Sequence, residues 1–172
     1  MFDSGVGGLS ILQALQRQMP DERFVYLADN AHAPYGDKDS DFVQARATRI
    51  LNHMLSEHQV KALVVACNTA TALAIQTLRN HHELPLLGVE PAIKPAAALS
   101  ITKRVGVMAT AGTLHSEKFQ NLCRSLQDQS SFVLQACEGL ADAIEHQWER
   151  PDSHEVFDLC AYHLQAMGHF GR

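Results

Sequence analysis

Cys67 stands at the end of the apolar run Ala62-Leu63-Val64-Val65-Ala66 and is followed by Asn68-Thr69-Ala70-Thr71. A thiol between a strand and the first turn of a helix can act as a base or nucleophile. The helix N-terminus draws its pKa from about 8.5 toward roughly 3.5–7.5. Asn68 and Thr69 add side-chain donors at the same turn, suited to holding a carboxylate. The competing reading is a small hydrophobe that closes a buried strand.

Two other stretches carry polar groups at comparable places. Phe2-Asp3-Ser4-Gly5-Val6-Gly7-Gly8-Leu9-Ser10 is a glycine-rich turn leading into a helix. Its glycines let backbone N–H groups approach a ligand, and a helix start favours an anion. It lacks the Gly-Lys-Ser/Thr ending of a P-loop, and Ser10 stands where a dinucleotide fingerprint needs its third glycine. A small-anion site and a plain tight turn both remain open. Asp29-Asn30-Ala31-His32-Ala33-Pro34-Tyr35-Gly36 follows the apolar Phe24-Val25-Tyr26-Leu27. It reads either as polar groups at the carboxyl end of a strand or as a loop of turn-formers.

The elements that must position these residues alternate. Phe24-Val25-Tyr26-Leu27, Ala62-Leu63-Val64-Val65-Ala66, Leu84-Pro85-Leu86-Leu87, Val105-Gly106-Val107-Met108-Ala109 and Phe132-Val133-Leu134 read as strands. Val43, Ala47, Ile50, Leu51 and Met54 fall on one face of a helix, with Ser40 as its N-cap. Ala70, Leu73, Ala74 and Leu78 predict a second helix after Cys67. A further helix opens near Thr113, residues 149–153 read as a loop, and residues 155–169 as helix. Strands alternating with helices predict an α/β fold with parallel sheets. Pro85, Pro91 and Pro95 mark a boundary, giving a first α/β lobe over residues 1–91 and a partial second one over 92–172. Two such lobes would enclose a ligand crevice near their strand ends.

Composition narrows the function classes. Fourteen Lys+Arg against nineteen Asp+Glu leave a formal charge of −5, without the basic footprint of a nucleic-acid partner. No apolar run approaches the roughly 20 residues of a membrane span. The four cysteines, at 67, 123, 137 and 160, form no CxxC pair, which predicts reduced thiols in a cytoplasmic protein. Cys123 and Cys160 read as core fillers, and Cys137 as a residue that could face the crevice. Cys160 and His163 lie i, i+3 without a second ligand pair, so no metal site is expected. His81, His82, His146 and His154 lie among polar residues and read as solvated surface.

Taken in order, the Phe2-to-Leu9 turn, Asp29-Asn30 with Pro34-Tyr35-Gly36, and Ala66-Cys67-Asn68-Thr69-Ala70-Thr71 resemble the aspartate/glutamate racemase family, in its glutamate branch. Gly88-Val89-Glu90-Pro91-Ala92 and Val105-Gly106-Val107-Met108-Ala109-Thr110 with Gly112-Thr113 extend the resemblance. It implies two doubly wound parallel-sheet lobes that enclose D- or L-glutamate, with no metal and no pyridoxal phosphate. It implies that Asp3, Ser4, Tyr35, Gly36, Asn68 and Thr69 contact substrate, and that Cys67 is one of two proton-exchanging cysteines, tuned by Asp3. A thiolate and a thiol on opposite faces of the α-carbon invert it without moving the substrate. The implied role is to supply D-glutamate for peptidoglycan, in the cytoplasm, with a homodimer as the oligomeric state to test.

The resemblance is incomplete in one respect. The family's second cysteine lies in a Gly-Cys-Thr-His segment that does not occur among these 172 residues. Only Met1 and Phe2 stand for the family's leading strand. The expectation is therefore a member shortened at both ends, without racemase activity of its own. An aspartate racemase-like enzyme and a non-catalytic amino-acid-binding fragment are the alternatives.

Overall fold

The computed structural model describes residues 1–168 and divides the chain into two units, Met1–Glu90 and Pro91–Arg172. The first unit runs β1 (Phe2–Asp3), α1 (Gly8–Gln18), β2 (Leu27–Ala28), α2 (Ser40–His58), β3 (Leu63–Val65), α3 (Asn68–Leu73), α4 (Ile75–His81) and β4 (Leu86–Gly88). Two short 3₁₀ turns, Asn30–His32 and Tyr35–Asp37, lie between β2 and α2. All four strands are parallel in the order β2-β1-β3-β4, with Phe2 paired to both Leu27 and Val65. The chain moves outward from β1 to β2, then returns to the other side of β1 as β3. This reversal makes the carboxyl ends of β1 and β3 the ligand-binding position of an open α/β sheet.

The helix predicted from apolar spacing is α2, and Val43, Ala47, Ile50, Leu51 and Met54 are its buried residues. They pack with Phe2, Leu63, Val65, Ile75 and Leu78 into one core. Fully burying an aliphatic side chain of this size is worth about 1.5–3 kcal/mol. Three local expectations are corrected. The N-cap of α2 is Asp39, whose extended backbone lets its carboxylate accept from the Phe42 amide at 2.7 Å; Ser40 is the first helical residue. The strand expected over Phe24-Val25-Tyr26-Leu27 forms only at Leu27–Ala28, where β1 is available to pair. The helix expected after Cys67 breaks at Ala74 (φ −120°, ψ −22°). There α3, seated on β3 through Thr71 Oγ1 to the Val65 carbonyl at 3.1 Å, gives way to α4, which buries Ile75 and Leu78.

The second unit runs α5 (Ile93–Leu99), β5 (Arg104–Ala109), α6 (Ala111–His115), α7 (Glu117–Arg124), β6 (Ser131–Ala136), α8 (Leu140–His146), a 3₁₀ turn and α9 (Glu155–Ala166). β5 and β6 pair in parallel along six residues, Arg104 with Ser131 through Ala109 with Ala136. Ile93, Val107, Leu114, Phe119 and Leu126 form its core. The last residue of the helix expected over 155–169, His169, lies outside the described residues; α9 itself ends at Ala166. Among the described residues no helix is long and apolar enough to cross a membrane.

Candidate active site

β1 and β3 lie side by side, locked by the Ala66 amide donating to the Phe2 carbonyl at 2.8 Å. One residue past the end of β1 stands Ser4, and two past the end of β3 stands Cys67. Their side chains meet, with Ser4 Oγ 3.5 Å from Cys67 Sγ. Cys67 is the N-cap of α3, its sulfur accepting from the Ala70 amide at 3.4 Å. Close packing holds the turn down. Gly88 on β4 leaves room for Thr71, whose Cγ2 would lie 2.6 Å from a Cβ at that position.

Asp3 is buried beside them, and its carboxylate faces back into its own turn. Asp3 Oδ2 accepts from the Gly8 amide at 2.8 Å and from the Gly5 amide at 3.4 Å. The anion at the start of α1 is therefore a built-in one, and these two amides are spent on Asp3. Gly8 is required here for space. A Cβ would stand 2.7 Å from Asp3 Cβ and 3.0 Å from Ala66 Cβ. The hydroxyl of Tyr26 ties the turn from the other side, donating to the Gly5 carbonyl at 2.7 Å.

The expected downward shift of the Cys67 pKa is not what the structure gives. Burial pushes the thiol above its usual range, and the negative Asp3 adds to that; the Ala70 amide and Ser4 pull only partly the other way. The helix effect is small because α3 spans six residues and only its Ala70 amide is seen to reach the sulfur. Burying a thiolate without a cationic partner costs more than those contacts return. Burial and the Asp3 charge thus favour the thiol over the thiolate in this geometry.

The second loop is built around Asp29, immediately after β2. Its amide donates to the Asp3 carbonyl at 3.0 Å, hanging the loop on β1. Its carboxylate accepts from Arg46 Nε and Nη2 at 2.9 and 2.7 Å, from the Tyr35 hydroxyl at 2.6 Å, and meets His32 Nδ1 at 3.0 Å. Burial pushes the Asp29 carboxyl up, but the hydrogen bonds of Arg46, Tyr35 and His32 outweigh it and hold it below the usual range. Burial and the Asp29 charge raise the Tyr35 phenol. Tyr35 and Gly36 are both buried, and the Tyr35–Asp37 turn packs against α3. Asn68 is exposed at the start of α3, whereas Thr69 beside it is buried.

Comparison with known proteins adds a decisive observation. The family model for Asp/Glu/Hydantoin racemase matches residues 9–169. The chain belongs to the Asp/Glu/Hydantoin racemase family. It is 50% identical over 145 residues to the glutamate racemase of Cupriavidus pinatubonensis, a match covering 84% of this chain and 53% of that protein. The crystal structure of a glutamate racemase from Bacillus anthracis is similar with a TM-score of 0.82 at 30% identity, covering 96% of this chain and 62% of that one. That of Escherichia coli glutamate racemase, solved with L-glutamate and the activator UDP-MurNAc-Ala, gives 0.76 at 35% identity, covering 83% and 55%. The chain spans about half the length of the curated relatives it matches.

In this racemase-family chain, Asp3, Ser4 and Cys67 come together at the sheet reversal, and Asn68 and Thr69 continue from Cys67. The Tyr35 hydroxyl is tied to Asp29, and it is the Tyr35–Asp37 turn that packs against α3. All four cysteines are free thiols, and Cys123 and Cys160 are half-buried in helices. Cys137 is buried at the end of β6, its amide donating to the Ala109 carbonyl at 2.9 Å. Among the described residues no cluster of three or more His, Cys, Asp or Glu is placed to hold a metal ion. Three buried or half-buried residues have roles that sequence reasoning misses. Arg46 and Tyr26 brace the two loops. His163 is almost fully buried, its Nε2 meeting the Glu138 carbonyl at 3.0 Å and its Nδ1 meeting Gln135 Nε2 at 3.2 Å. A carbonyl only accepts, so Nε2 carries the proton and Nδ1 accepts from Gln135. Both partners of His163 lie far from it in the chain, so no local sequence signal marks it.

Proposed function

We propose that this chain carries the Cys67 half of a glutamate racemase site. The observation that carries the reading is the contact of Ser4 with Cys67 at the reversal between β1 and β3, with Asp3 beside it. Asp3, Ser4, Asn68, Thr69 and the Tyr35-Gly36 backbone hold the amino acid by its charged groups. Cys67 exchanges its α-proton. In the deprotonating direction the Cys67 thiolate takes Hα as a proton and leaves the electron pair on the α-carbon. A second thiol on the opposite face then donates a proton to that carbon. In the other direction the protonated Cys67 is the donor, the state its burial favours at rest. The developing negative charge spreads into the α-carboxylate, where fixed donors in a water-poor site stabilise it most.

The chemistry is cofactor-independent, as in the family it belongs to, and its product supplies D-glutamate to peptidoglycan from the cytoplasm. Homodimerisation belongs to the same reading. The second thiol comes from a Gly-Cys-Thr-His segment that these 172 residues do not contain, so the chain by itself binds glutamate without inverting it. The test is protection of individual thiols from iodoacetamide, read by peptide mass spectrometry with and without D-glutamate. Cys67 should be shielded while Cys123, Cys137 and Cys160 react as before. Equal labelling of Cys67 in both samples would sink the reading.

A further inference from the structure

We propose that Arg46 is a positioning residue: with Asp29 it forms a clamp that fixes the 29–36 loop beside the Cys67 turn and so sets where Tyr35 and Gly36 stand. What the clamp positions rests on the glutamate reading; the clamp itself rests on geometry alone.

One residue, Asp29, gathers four separate pieces of the first unit, three of them through its carboxylate. Through its own amide Asp29 hangs from Asp3, the residue at the end of β1. Its Oδ1 takes Arg46 Nη2 and His32 Nδ1, and its Oδ2 takes Arg46 Nε and the Tyr35 hydroxyl. Two partners per oxygen fill the acceptor capacity of a carboxylate. The partners come from both 3₁₀ turns of the loop and from the middle of α2. That helix is the rigid member, because Val43 and Ala47 on either side of Arg46 are fully buried in the core. Within the loop the backbone supplies little: His32 to Asp29 at 2.9 Å, Ala33 to Asn30 at 3.3 Å and Lys38 to Tyr35 at 3.1 Å. The loop's shape is therefore set by the Asp29 carboxylate, and the carboxylate's position by the guanidinium fork.

The fork is specific to arginine. A planar guanidinium meets both oxygens of one carboxylate at once, which the single ammonium of lysine cannot do. The far end of the loop, Tyr35–Asp37, packs against α3, the helix that Cys67 caps and that begins with Asn68 and Thr69. Moving the clamp thus moves one wall of the site without touching the thiol.

The test uses the whole chain and its Arg46→Lys variant, in three measurements. Amide hydrogen exchange is followed at Asp29, His32 and Ala33 in the loop, and at Leu63, Ala66 and Val89 around β3. D-glutamate affinity is measured by calorimetric titration, and Cys67 reactivity by alkylation against pH. A local opening should raise loop exchange about tenfold or more while the β3 amides change less than about twofold. Loss of preorganisation should weaken D-glutamate binding about tenfold and leave the Cys67 alkylation profile in place. Loop exchange unchanged from wild type overturns the clamp whether or not glutamate binds. A uniform rise at loop and β3 amides overturns it too, as that marks general destabilisation. A loosened loop with unaltered glutamate affinity overturns the positioning role. A loosened loop in a chain whose wild type binds no D-glutamate overturns the glutamate reading and leaves the clamp as a purely structural device. Should Arg46→Lys not fold, Tyr35→Phe removes one of the four carboxylate bonds and should raise loop exchange by about twofold to fivefold.

Discussion

Cys67 and Cys137 occupy matching places in their units, each just past the end of a parallel strand and just before a turn into helix. Both are buried, and burial pushes both thiols above their ordinary range. Their neighbours differ. The strand beside β3 ends in Asp3 and leads to Ser4, which put a carboxylate and a hydroxyl next to Cys67. The strand beside β6 ends in Ala109, which meets Cys137 only through a backbone bond, and the Cys137 thiol donates to the Gln135 carbonyl at 3.5 Å. A cysteine at a strand end thus acquires chemistry from what the adjacent strand ends with. In the first unit that adjacency is created by the reversal of strand order, and in the second β5 and β6 form the whole described sheet.

The comparison can be broken most forcefully at Asp29. Removing one partner of a buried, hydrogen-bonded ion pair costs about 3–5 kcal/mol. Asp29→Ala should lose stability of that order in urea denaturation, and carry the Cys67 turn with it while the second unit stays folded. A smaller effect separates two glycines at helix starts, Gly8 as the first residue of α1 and Gly139 as the N-cap of α8. Gly8→Ala drives a Cβ into Asp3 and Ala66, an overpacking worth about 1–3 kcal/mol. Gly139→Ala meets nothing closer than 3.9 Å and suffers only from its φ of +74°, about 1–2 kcal/mol. If the two variants melt alike, the close approach of α1 to β3 is not what holds Asp3 in place.

Subtler still is the charge on Asp3. Asp3→Asn keeps an acceptor for the Gly8 amide and removes the negative charge that raises Cys67. Its alkylation profile should move to lower pH, and that of Cys137 should not move. The smallest effect is on stability itself. A thiol whose folded pKa is raised holds its proton longer than the unfolded chain does. Stability is then full below the ordinary thiol range and declines as pH rises through about 8.5 and above. The Cys67→Ser variant should flatten that decline. At the acid end the depressed Asp29 works with the opposite sign: its contribution is present above about pH 3.9 and is lost as pH falls through its lowered value.

The sequence shows some of this and hides the rest for physical reasons. The face of α2 is readable because five apolar residues at helical spacing have one way to be buried together. The Cys67 turn is readable because an apolar run, a cysteine and two small polar residues follow one another directly. The direction of the Cys67 pKa is not, since it depends on Asp3, which lies far earlier in the chain and arrives only when β1 pairs with β3. Arg46 is hidden for the same reason: it lies far along the chain from Asp29, and only the packing of α2 brings the two together. The α3–α4 break at Ala74 is hidden because Ala70, Leu73, Ala74 and Leu78 keep helical spacing through it.

Everything proposed for the site depends on Cys67 being the group that exchanges the α-proton. Incubating the chain with D- or L-glutamate in D₂O and following the α-proton signal by NMR tests this directly. Wild type and Cys137→Ser should deuterate, without inverting it, the one enantiomer whose Hα faces Cys67, and Cys67→Ser should fall to the solvent background. Exchange at the wild-type rate in Cys67→Ser would contradict that role.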